Sequence, residues 1–259
     1  MKLATWNINS IRARADRLMA WIDRERPDVL CLQETKVEDA GFPFEALRKA
    51  GYEVATFGQR SYNGVVIAST QPLTEVTRGF GDGGEDGGET GDARLIAATT
   101  HGVRVVCAYV VNGQELASDR YPYKLAWLGR LRAFLDRTAA PDRPVVLCGD
   151  MNVAPDDRDV WSPETWHEQI HCSTPERQAL AGVLAFGLVD VFRQHHGDAK
   201  VYSWWDYRGV SFFKDQGLRI DHIFASAPLA RRCTACTIDR TAREGQDASD
   251  HAPVIAVFD

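Results

Sequence analysis

Polar residues able to act as acids, bases or ligands follow several apolar runs of the sequence. One such residue is unremarkable, because strands commonly end in polar turns. A whole set drawn from segments across the chain instead predicts that strand ends converge on one polar site. The set is Asn7, Glu34, Tyr109, Asn112, Asp150, Asn152, Asp221, Asp250 and His251.

The carboxylates of this set suit a divalent metal ion. Mg²⁺ takes one or two protein carboxylates and keeps its other positions for water and substrate phosphate. Glu34, helped by Asp150 or Asp250, could therefore hold Mg²⁺, with Mn²⁺ as a substitute. Amide and phenol groups can bind phosphoryl oxygens without adding repulsive negative charge. The sequence offers these groups at Asn7, Asn112 and Tyr109.

Two further pairs predict proton chemistry. Asp150 and Asn152 stand two residues apart in "GDMN", and the two-residue period of an extended chain turns both to one face. Asp150 can accept the proton of an attacking water that Asn152 orients. His251 with Asp221 is typical of a His–Asp dyad, in which the carboxylate fixes the imidazole tautomer. Together these groups predict hydrolysis of a phosphodiester.

Short Val- and Ile-rich runs between turn signals predict the strands that would carry these residues. Helical periodicity appears between them, so the pattern predicts an α/β fold in one domain, residues 1–259. The predicted strands are Leu3–Ile8, Val29–Leu32, Val65–Ala68, Leu95–Thr99, Val103–Val111, Val145–Cys148, Ile220–Ala225 and Val254–Phe258. The predicted helices are Ile11–Arg26, Phe44–Ala50, Tyr121–Arg137 and Glu176–Phe186.

Composition limits the classes of protein. The 259 residues are 44% apolar and 25% charged, which is ordinary for a globular enzyme. The net charge of −6 argues against a protein that coats nucleic acid, but not against a nuclease with acidic residues at its site. The acidic, Gly-rich stretch 79–93 predicts a mobile surface loop. Basic groups for a DNA backbone stand at Arg12, Arg14, Arg17, Lys36, Arg120 and Lys124.

The chain shows neither a signal-peptide pattern nor an apolar run long enough for a membrane span. We therefore expect a cytoplasmic protein, and a monomer, with its cysteines reduced. Cys233 and Cys236 form a lone C-x-x-C without a second ligand pair, which favours packing over a zinc site.

A zinc metallopeptidase is the rival from another enzyme class. "HEQIH", His167 to His171, matches H-E-x-x-H, which on a helix places two histidines on one face for Zn²⁺. Pro163 and Pro175 bracket a short segment, and spacing identifies no third ligand. A chance match is therefore favoured. A catalytically dead nucleic-acid-binding protein is disfavoured because every proposed catalytic position holds a competent residue.

Six stretches carry a resemblance to a known family. "NINSIRAR", "PDVLCLQETK", "GDMNVAP", "YSWWDYR", "GLRIDHIFAS" and "SDHAPV" resemble the exonuclease III family of abasic-site endonucleases, within the endonuclease/exonuclease/phosphatase superfamily. A phosphoinositide phosphatase or sphingomyelinase of the same superfamily would share the core. The resemblance implies a four-layered α/β sandwich, in which two mixed sheets pack face to face with helices outside. It also implies a substrate, double-stranded DNA with abasic sites or blocked 3′ ends.

The resemblance further implies roles for individual residues. Asp150, Asn152, Asp221, His251 and Tyr109 would be catalytic, and Asn7 would support them. The apolar pocket for an extruded base-less sugar would involve Trp204, Trp205 and Leu218, with Trp204 as its wall and Trp205 turned to the core. Residues implied around the metal are Glu34, Asn9, Asp150, Asn152, Asp250 and His251.

Overall fold

Two six-stranded mixed sheets form the centre of the computed structural model, which describes residues 1–84 and 92–259. Part of the 79–93 stretch, and with it the predicted mobile loop, lies outside the described residues. The first sheet contains β1 (Lys2–Asn7), β2 (Val29–Gln33), β3 (Glu53–Phe57), β4 (Val65–Ser69), β11 (Cys233–Ile238) and β12 (Val254–Phe258). The second contains β5 (Thr74–Arg78), β6 (Leu95–Thr100), β7 (Val103–Tyr109), β8 (Val145–Asp150), β9 (Leu188–Asp190) and β10 (Asp221–Ser226).

Each sheet contains one parallel pair among antiparallel neighbours. The strand orders are β11-β12-β1-β2-β4-β3 and β5-β6-β7-β8-β10-β9. β1 runs parallel to β2, and β7 runs parallel to β8. Because parallel strands end at the same edge, the residues that follow these four strands are brought together in pairs.

The glycine at position 149, directly before Asp150, is required by the close packing of two strands. Its φ is +136°, and a Cβ built there would lie 1.9 Å from the carbonyl oxygen of Ala108 on β7. Only glycine allows the two strands to approach this closely without strain. The glycine therefore lets β8 continue to Asp150 beside Tyr109, its partner in the parallel register.

The sheets pack against each other through one side of each strand. Successive side chains alternate between faces, so Val29 and Cys31 join the core between the sheets while Leu30 and Leu32 face the helices. Six free cysteines are all buried, and five of them (Cys31, Cys107, Cys148, Cys233 and Cys236) belong to this central core.

Helices cover both outer faces and complete four layers. Leu18, Trp21 and Ile22 form the apolar stripe of α1 and pack with α2 on the first sheet. The α3 and α5 helices pack on the second sheet. The helices are α1 (Ala15–Glu25), α2 (Phe44–Lys49), α3 (Arg120–Thr138), α4 (Pro163–Trp166), α5 (Thr174–Leu184), α6 (Val191–His196) and α7 (Ala227–Ala230). The predicted four-layered α/β sandwich is confirmed.

The predicted elements are all present, and most of them have shifted ends. The first predicted helix, for example, begins only at Ala15, because residues 11–14 form a turn. Strands β3, β5, β9 and β11 were not predicted. In the described part of the chain, no helix is long and apolar enough to cross a membrane.

Candidate active site

Strand ends from both sheets meet at one edge of the sandwich. Asn7 ends β1, Glu34 follows β2 directly, and Asp150 ends β8. Asp221 begins β10, opposite Asp150 in the antiparallel register, and His251 precedes β12. The prediction that these side chains converge is supported by the hydrogen bonds that connect them. We call these five residues the strand-end centre.

Several residues of this edge have left-handed backbone conformations. The φ angles are +52° for Glu34, +50° for Asn152 and +45° for Asn9. Such conformations cost on the order of 1–3 kcal/mol each for residues other than glycine and concentrate at functional sites. The turn after each strand thus holds its polar residue at the edge at the expense of backbone strain.

Asn7 connects the two carboxylates of the centre. Its Nδ2 donates to Glu34 Oε1 at 2.8 Å and to Asp150 Oδ2 at 2.9 Å. Ligand atoms of Glu34, Asp150 and His251 all lie within 4.8 Å of one another, and among the described residues this is the one such group of three or more His, Cys, Asp or Glu. Two carboxylates held this close are arranged to share a cation.

His251 and Asp221 form the predicted dyad. His251 Nδ1 donates to Asp221 Oδ2 at 2.8 Å, and Ser203 Oγ donates to the same oxygen at 2.7 Å. The other ring nitrogen, Nε2, lies 3.8 Å from Asp150 Oδ2. Burial opposes charge on the ring, but the negative charges of Asp221 and Asp150 outweigh it and raise the pKa of His251 to about 10.

Asp150 and Asn152 are fixed by backbone contacts as well as by each other. Burial, opposed by His251 and assisted by Asp221, raises the pKa of Asp150 to about 7. The Asn152 backbone N–H donates to Asp150 Oδ1 at 2.9 Å, and Asn152 Nδ2 donates to the Val110 carbonyl at 2.9 Å. Asn112 Nδ2 donates to Asn152 Oδ1 at 3.2 Å. A row of oriented amides therefore borders the acidic centre.

Tyr109 lies at the end of β7, beside Asp150. Burial, together with the nearby charge of Glu34, raises its pKa well above the usual range, so the phenol remains a neutral hydrogen-bond donor. The guanidinium of Arg94 lies 4.5 Å from the centre of its ring. Arg94, which the sequence did not single out, thus adds a positive charge beside this phenol.

Two residues implied around the metal are engaged elsewhere. Asn9 donates from Nδ2 to Asp250 Oδ1 at 2.9 Å and accepts at Oδ1 from Lys36 Nζ at 2.5 Å. Asp250 accepts at its other oxygen from Trp204 Nε1 at 3.1 Å. Lys36 also brings its ammonium within 3.0 Å of Glu34 Oε2. Asn9 therefore lies beside Glu34, and its role as a metal ligand stays a prediction. Asp250 thus accepts hydrogen bonds from both Asn9 and Trp204, and its role at the metal stays a prediction.

The three predicted pocket residues differ in burial. Trp204 is half-buried and, with Trp161 and Trp166, lines a cavity of about 660 Å³. We call this space the aromatic cavity. Trp205 is completely buried against Phe212, so the implied pocket role is wrong for Trp205 and its predicted turn to the core is correct.

Leu218 is also completely buried. It packs in a small apolar cluster with Val160, Cys172 and Ile220, behind Trp204. No part of its side chain reaches solvent, and its implied role at the pocket stays a prediction. It supports Trp204 from below through backbone bridges between the two residues.

The "HEQIH" segment is not a helix. The α4 helix ends at Trp166, and both Glu168 and His171 have positive φ angles. Glu168 accepts hydrogen bonds from Thr174, and His171 is buried, so the two histidines do not share a helix face. The structure thus contradicts the zinc metallopeptidase arrangement.

His171 instead belongs to the border of the active site, which sequence reasoning missed. Its Nδ1 donates to the Asn152 carbonyl at 2.7 Å, and its Nε2 lies 3.5 Å from Asn112 Nδ2. Burial, with help from nearby Lys124, lowers the pKa of His171 to about 3, so the ring is neutral. The only sequence signal at this position was the misleading zinc motif.

Lys124 is another residue whose predicted place is wrong. The sequence offered it as a contact for the DNA backbone, but its side chain is 0% exposed. It pairs with Glu176, which is equally buried. A completely buried ammonium cannot meet a phosphate on the surface.

Comparison with known proteins agrees with this fold. The model of the Endonuclease/Exonuclease/phosphatase family matches residues 4–251. The Exodeoxyribonuclease III of Haemophilus influenzae is 36% identical, with 100% of both chains covered. Endonucleases, exonucleases and phosphatases all hydrolyse phosphoesters, so the family match places the chain in a class of phosphoester hydrolases. The chain belongs to the Endonuclease/Exonuclease/phosphatase family, and the resemblance to exonuclease III is confirmed.

Two solved structures share the architecture closely. An AP endonuclease from Archaeoglobus fulgidus is 39% identical, with a TM-score of 0.94 and coverage of 100% of this chain and 99% of that one. A 3′ phosphatase from Neisseria, bound to a product DNA hairpin, is 41% identical, with a TM-score of 0.95 and the same coverage.

Proposed function

We propose that the protein is a Mg²⁺-dependent DNA-repair nuclease that cleaves 5′ to abasic sites and removes nucleotides or phosphate from 3′ ends. The main observation in support is that ligand atoms of Glu34, Asp150 and His251 lie within 4.8 Å of one another, with Asp221 hydrogen-bonded to the histidine. The activities named for the relatives support this proposal.

One chemical step unites these activities. In each case water attacks phosphorus, the bond between phosphorus and the 3′ oxygen breaks, and that oxygen leaves with a proton as a 3′-hydroxyl. The other product is a 5′-phosphate strand end, a mononucleotide or inorganic phosphate. A single centre therefore suffices for all three activities. Their substrates differ only in the group attached to phosphorus on the side opposite the 3′ oxygen.

The residues present fit a divalent cation. Glu34 and Asp150 point oxygens at a common space, and one oxygen of Asp221, Oδ1, is buried without a hydrogen-bond partner among the described residues. Glu34 and Asp150 would hold the ion, and Mg²⁺ or Mn²⁺ would supply positive charge to the phosphoryl oxygens. His251 with its raised pKa carries a proton on both nitrogens and has no lone pair for a metal. It is therefore better suited to phosphate than to the ion.

The chain's own groups divide the remaining work. Asp150 lies where it can take a proton from the attacking water, and Asn152 orients that water. Nε2–H of His251 donates to a phosphoryl oxygen while Asp221 holds the ring. Tyr109 and the amide of Asn112 add neutral donors around the same oxygens, which stabilises charge as it develops. Asn7 holds Glu34 and Asp150 in place, because both of its amide protons bind these carboxylates.

The test uses two duplexes, one with an abasic analogue and one with a 3′-phosphate at a nick. We expect cleavage 5′ to the analogue and phosphate release from the nick, both lost in EDTA and restored by Mg²⁺ or Mn²⁺. The control is Glu45→Gln, which neutralises an exposed carboxylate on α2. Cleavage that persists in EDTA, or absence of activity on both duplexes, would overturn the proposal.

We also propose that the protein works as a cytoplasmic monomer. Sedimentation velocity at micromolar concentration, and fractionation of cells that produce it, would check these two points. A dimer in sedimentation, or recovery in the membrane fraction, would contradict them.

A further inference from the structure

A buried ion pair lies directly behind the amides that border the strand-end centre. Lys124 on α3 and Glu176 on α5 are both 0% exposed and pair with each other. Lys124 Nζ also donates to the carbonyl oxygens of Asn112, at 3.0 Å, and Asn152, at 2.7 Å. Since an ammonium has three protons, these contacts use all of them.

Glu176 extends the connection to the segment that carries His171. Its Oε1 accepts from the His171 backbone N–H at 3.0 Å, and its Oε2 accepts from the N–H and hydroxyl of Ser173 at 3.2 and 2.5 Å. His171 in turn donates to the Asn152 carbonyl. The pair thus ties together the turns after β7 and β8 and the turn before α5.

Stability alone is a weak reason for such a pair. Removing two charges from water is costly, and apolar residues of similar volume often replace a buried ion pair without loss of stability. The pair instead fixes the position of the backbone that carries Asn112 and Asn152. Asn152 has a left-handed backbone, and its carbonyl accepts from both Lys124 and His171. With that carbonyl fixed, the side chains of Asn152 and Asn112 keep their mutual hydrogen bond at the edge of the centre.

We propose that Lys124 and Glu176 are positioning residues, which set the orientation of the Asn112 and Asn152 side chains for attack on phosphorus. The inference rests on the proposed function for its kinetic part. Its structural part, the orientation of the two amides, stands without it.

The test variant is Lys124→Met/Glu176→Gln, which removes both charges and keeps an acceptor for the His171 and Ser173 backbone. We expect kcat for 3′-phosphate removal to fall about 10- to 100-fold, the loss typical of a catalytic group misplaced by about 1 Å. KM should change less than threefold. In an Asn112→Ala/Asn152→Ala background the same double substitution should lower kcat less than threefold, because both positioned amides are already absent.

The matched control is Arg132→Met/Asp136→Asn on the same helix. These residues form an exposed pair, and Arg132 also donates to the Gly182 carbonyl of α5, so the control breaks a surface connection between α3 and α5. It should leave kcat within twofold. Equal fold losses in the parent and Asn112→Ala/Asn152→Ala backgrounds, or a loss matching the unfolded fraction by circular dichroism, would overturn the proposal.

Side-chain amide signals in ¹⁵N NMR spectra separate this inference from the proposed function. The signals of Asn112 and Asn152 should shift or broaden in the test variant and stay in place in the control. If the parent hydrolyses neither duplex, the function has failed, and the spectra still decide the positioning role. Unmoved amide signals would overturn it in either case.

Discussion

The strand-end centre and the aromatic cavity are neighbours built in different ways. Residues of the centre end or adjoin strands of two sheets, and hydrogen bonds connect nearly all of them. The cavity is lined by α4 and by turns, with indoles from residues 161, 166 and 204. Trp204 touches both, because its indole donates to Asp250 and lies 6.5 Å from the His251 ring. The comparison suggests that the chemistry rests on rigid strands and substrate choice on less regular segments.

The largest effect should come from the centre. Asp150→Asn removes the base of the proposed mechanism and half of the proposed metal site, so we expect kcat to fall by several orders of magnitude on both duplexes alike. Glu34→Ala and His251→Ala should do the same, and double substitutions should add little because the groups serve one transition state. Full activity in folded Asp150→Asn, checked by circular dichroism, would contradict the mechanism.

Trp204→Ala should separate the two substrates. An extruded sugar needs an apolar wall, whereas a 3′-phosphate at a nick does not. We expect incision at the abasic analogue to fall at least tenfold more than phosphate removal, measured as kcat/KM on each duplex.

Trp204→Phe is the matched control for that prediction, since it keeps an aromatic wall and loses the hydrogen bond to Asp250. It should retain most of the discrimination. Equal losses on both duplexes for Trp204→Ala would mean that the tryptophan serves packing alone.

His222 tests the junction between the two regions. It donates from Nε2 to the Val153 carbonyl and accepts at Nδ1 from Arg219, which pairs with Asp159 and Asp190. Burial, with Arg219 nearby, lowers its pKa from 6.5 to about 4. As the pH falls below 6.5, the His222 imidazole becomes protonated in the unfolded chain but stays neutral in the folded one. The free energy of unfolding therefore decreases as the pH falls, down to a pH of about 4.

The expected size of this effect is about 1.4 kcal/mol per pH unit, or about 2 kcal/mol between neutral pH and pH 5. His222→Gln should therefore reduce the difference in unfolding free energy between pH 7 and pH 5 by about that amount, measured by urea denaturation. The control is His195→Gln, at an exposed position. An unchanged pH dependence in His222→Gln would show that the ring is not held neutral.

Glu168→Ala should have the smallest effect. Glu168 is partly exposed and accepts hydrogen bonds from Thr174, at the start of α5. Activity on both duplexes should stay within a few-fold, and the purified protein should hold no stoichiometric zinc by elemental analysis. Bound zinc with peptidase activity would restore the metallopeptidase hypothesis.

The centre was predictable because its residues follow strongly apolar runs. Asn7, Asp150 and His251 each adjoin a strand buried on both faces, and such runs are visible without any partner. Strand β5 is different. It reads "TEVTR" and is largely exposed, so no apolar run marks it.

Other features depend on packing that no local pattern encodes. Lys124 resembles any surface lysine in the sequence, and only Glu176, 52 positions later, reveals that it is buried. The resemblance implied that Leu218 lies at an apolar pocket, but neighbouring segments cover its side chain completely. The position of a strand end could be inferred locally, whereas burial of a single side chain could not.

The alkylation rates of two buried cysteines would compare the aromatic cavity with the core between the sheets independently of activity. Cys172 lies beneath the aromatic cavity, whereas Cys31 lies between the sheets, and burial raises the pKa of both thiols, so neither reacts readily while its surroundings stay closed. Alkylation then requires local opening, whose free energy differs between parts of a fold. If the cavity segments open more readily than the sheets, mass spectrometry should find Cys172 labelled well before Cys31. The order of labelling would show which part of the fold opens locally, as binding of an extruded nucleotide would require, and which part stays rigid.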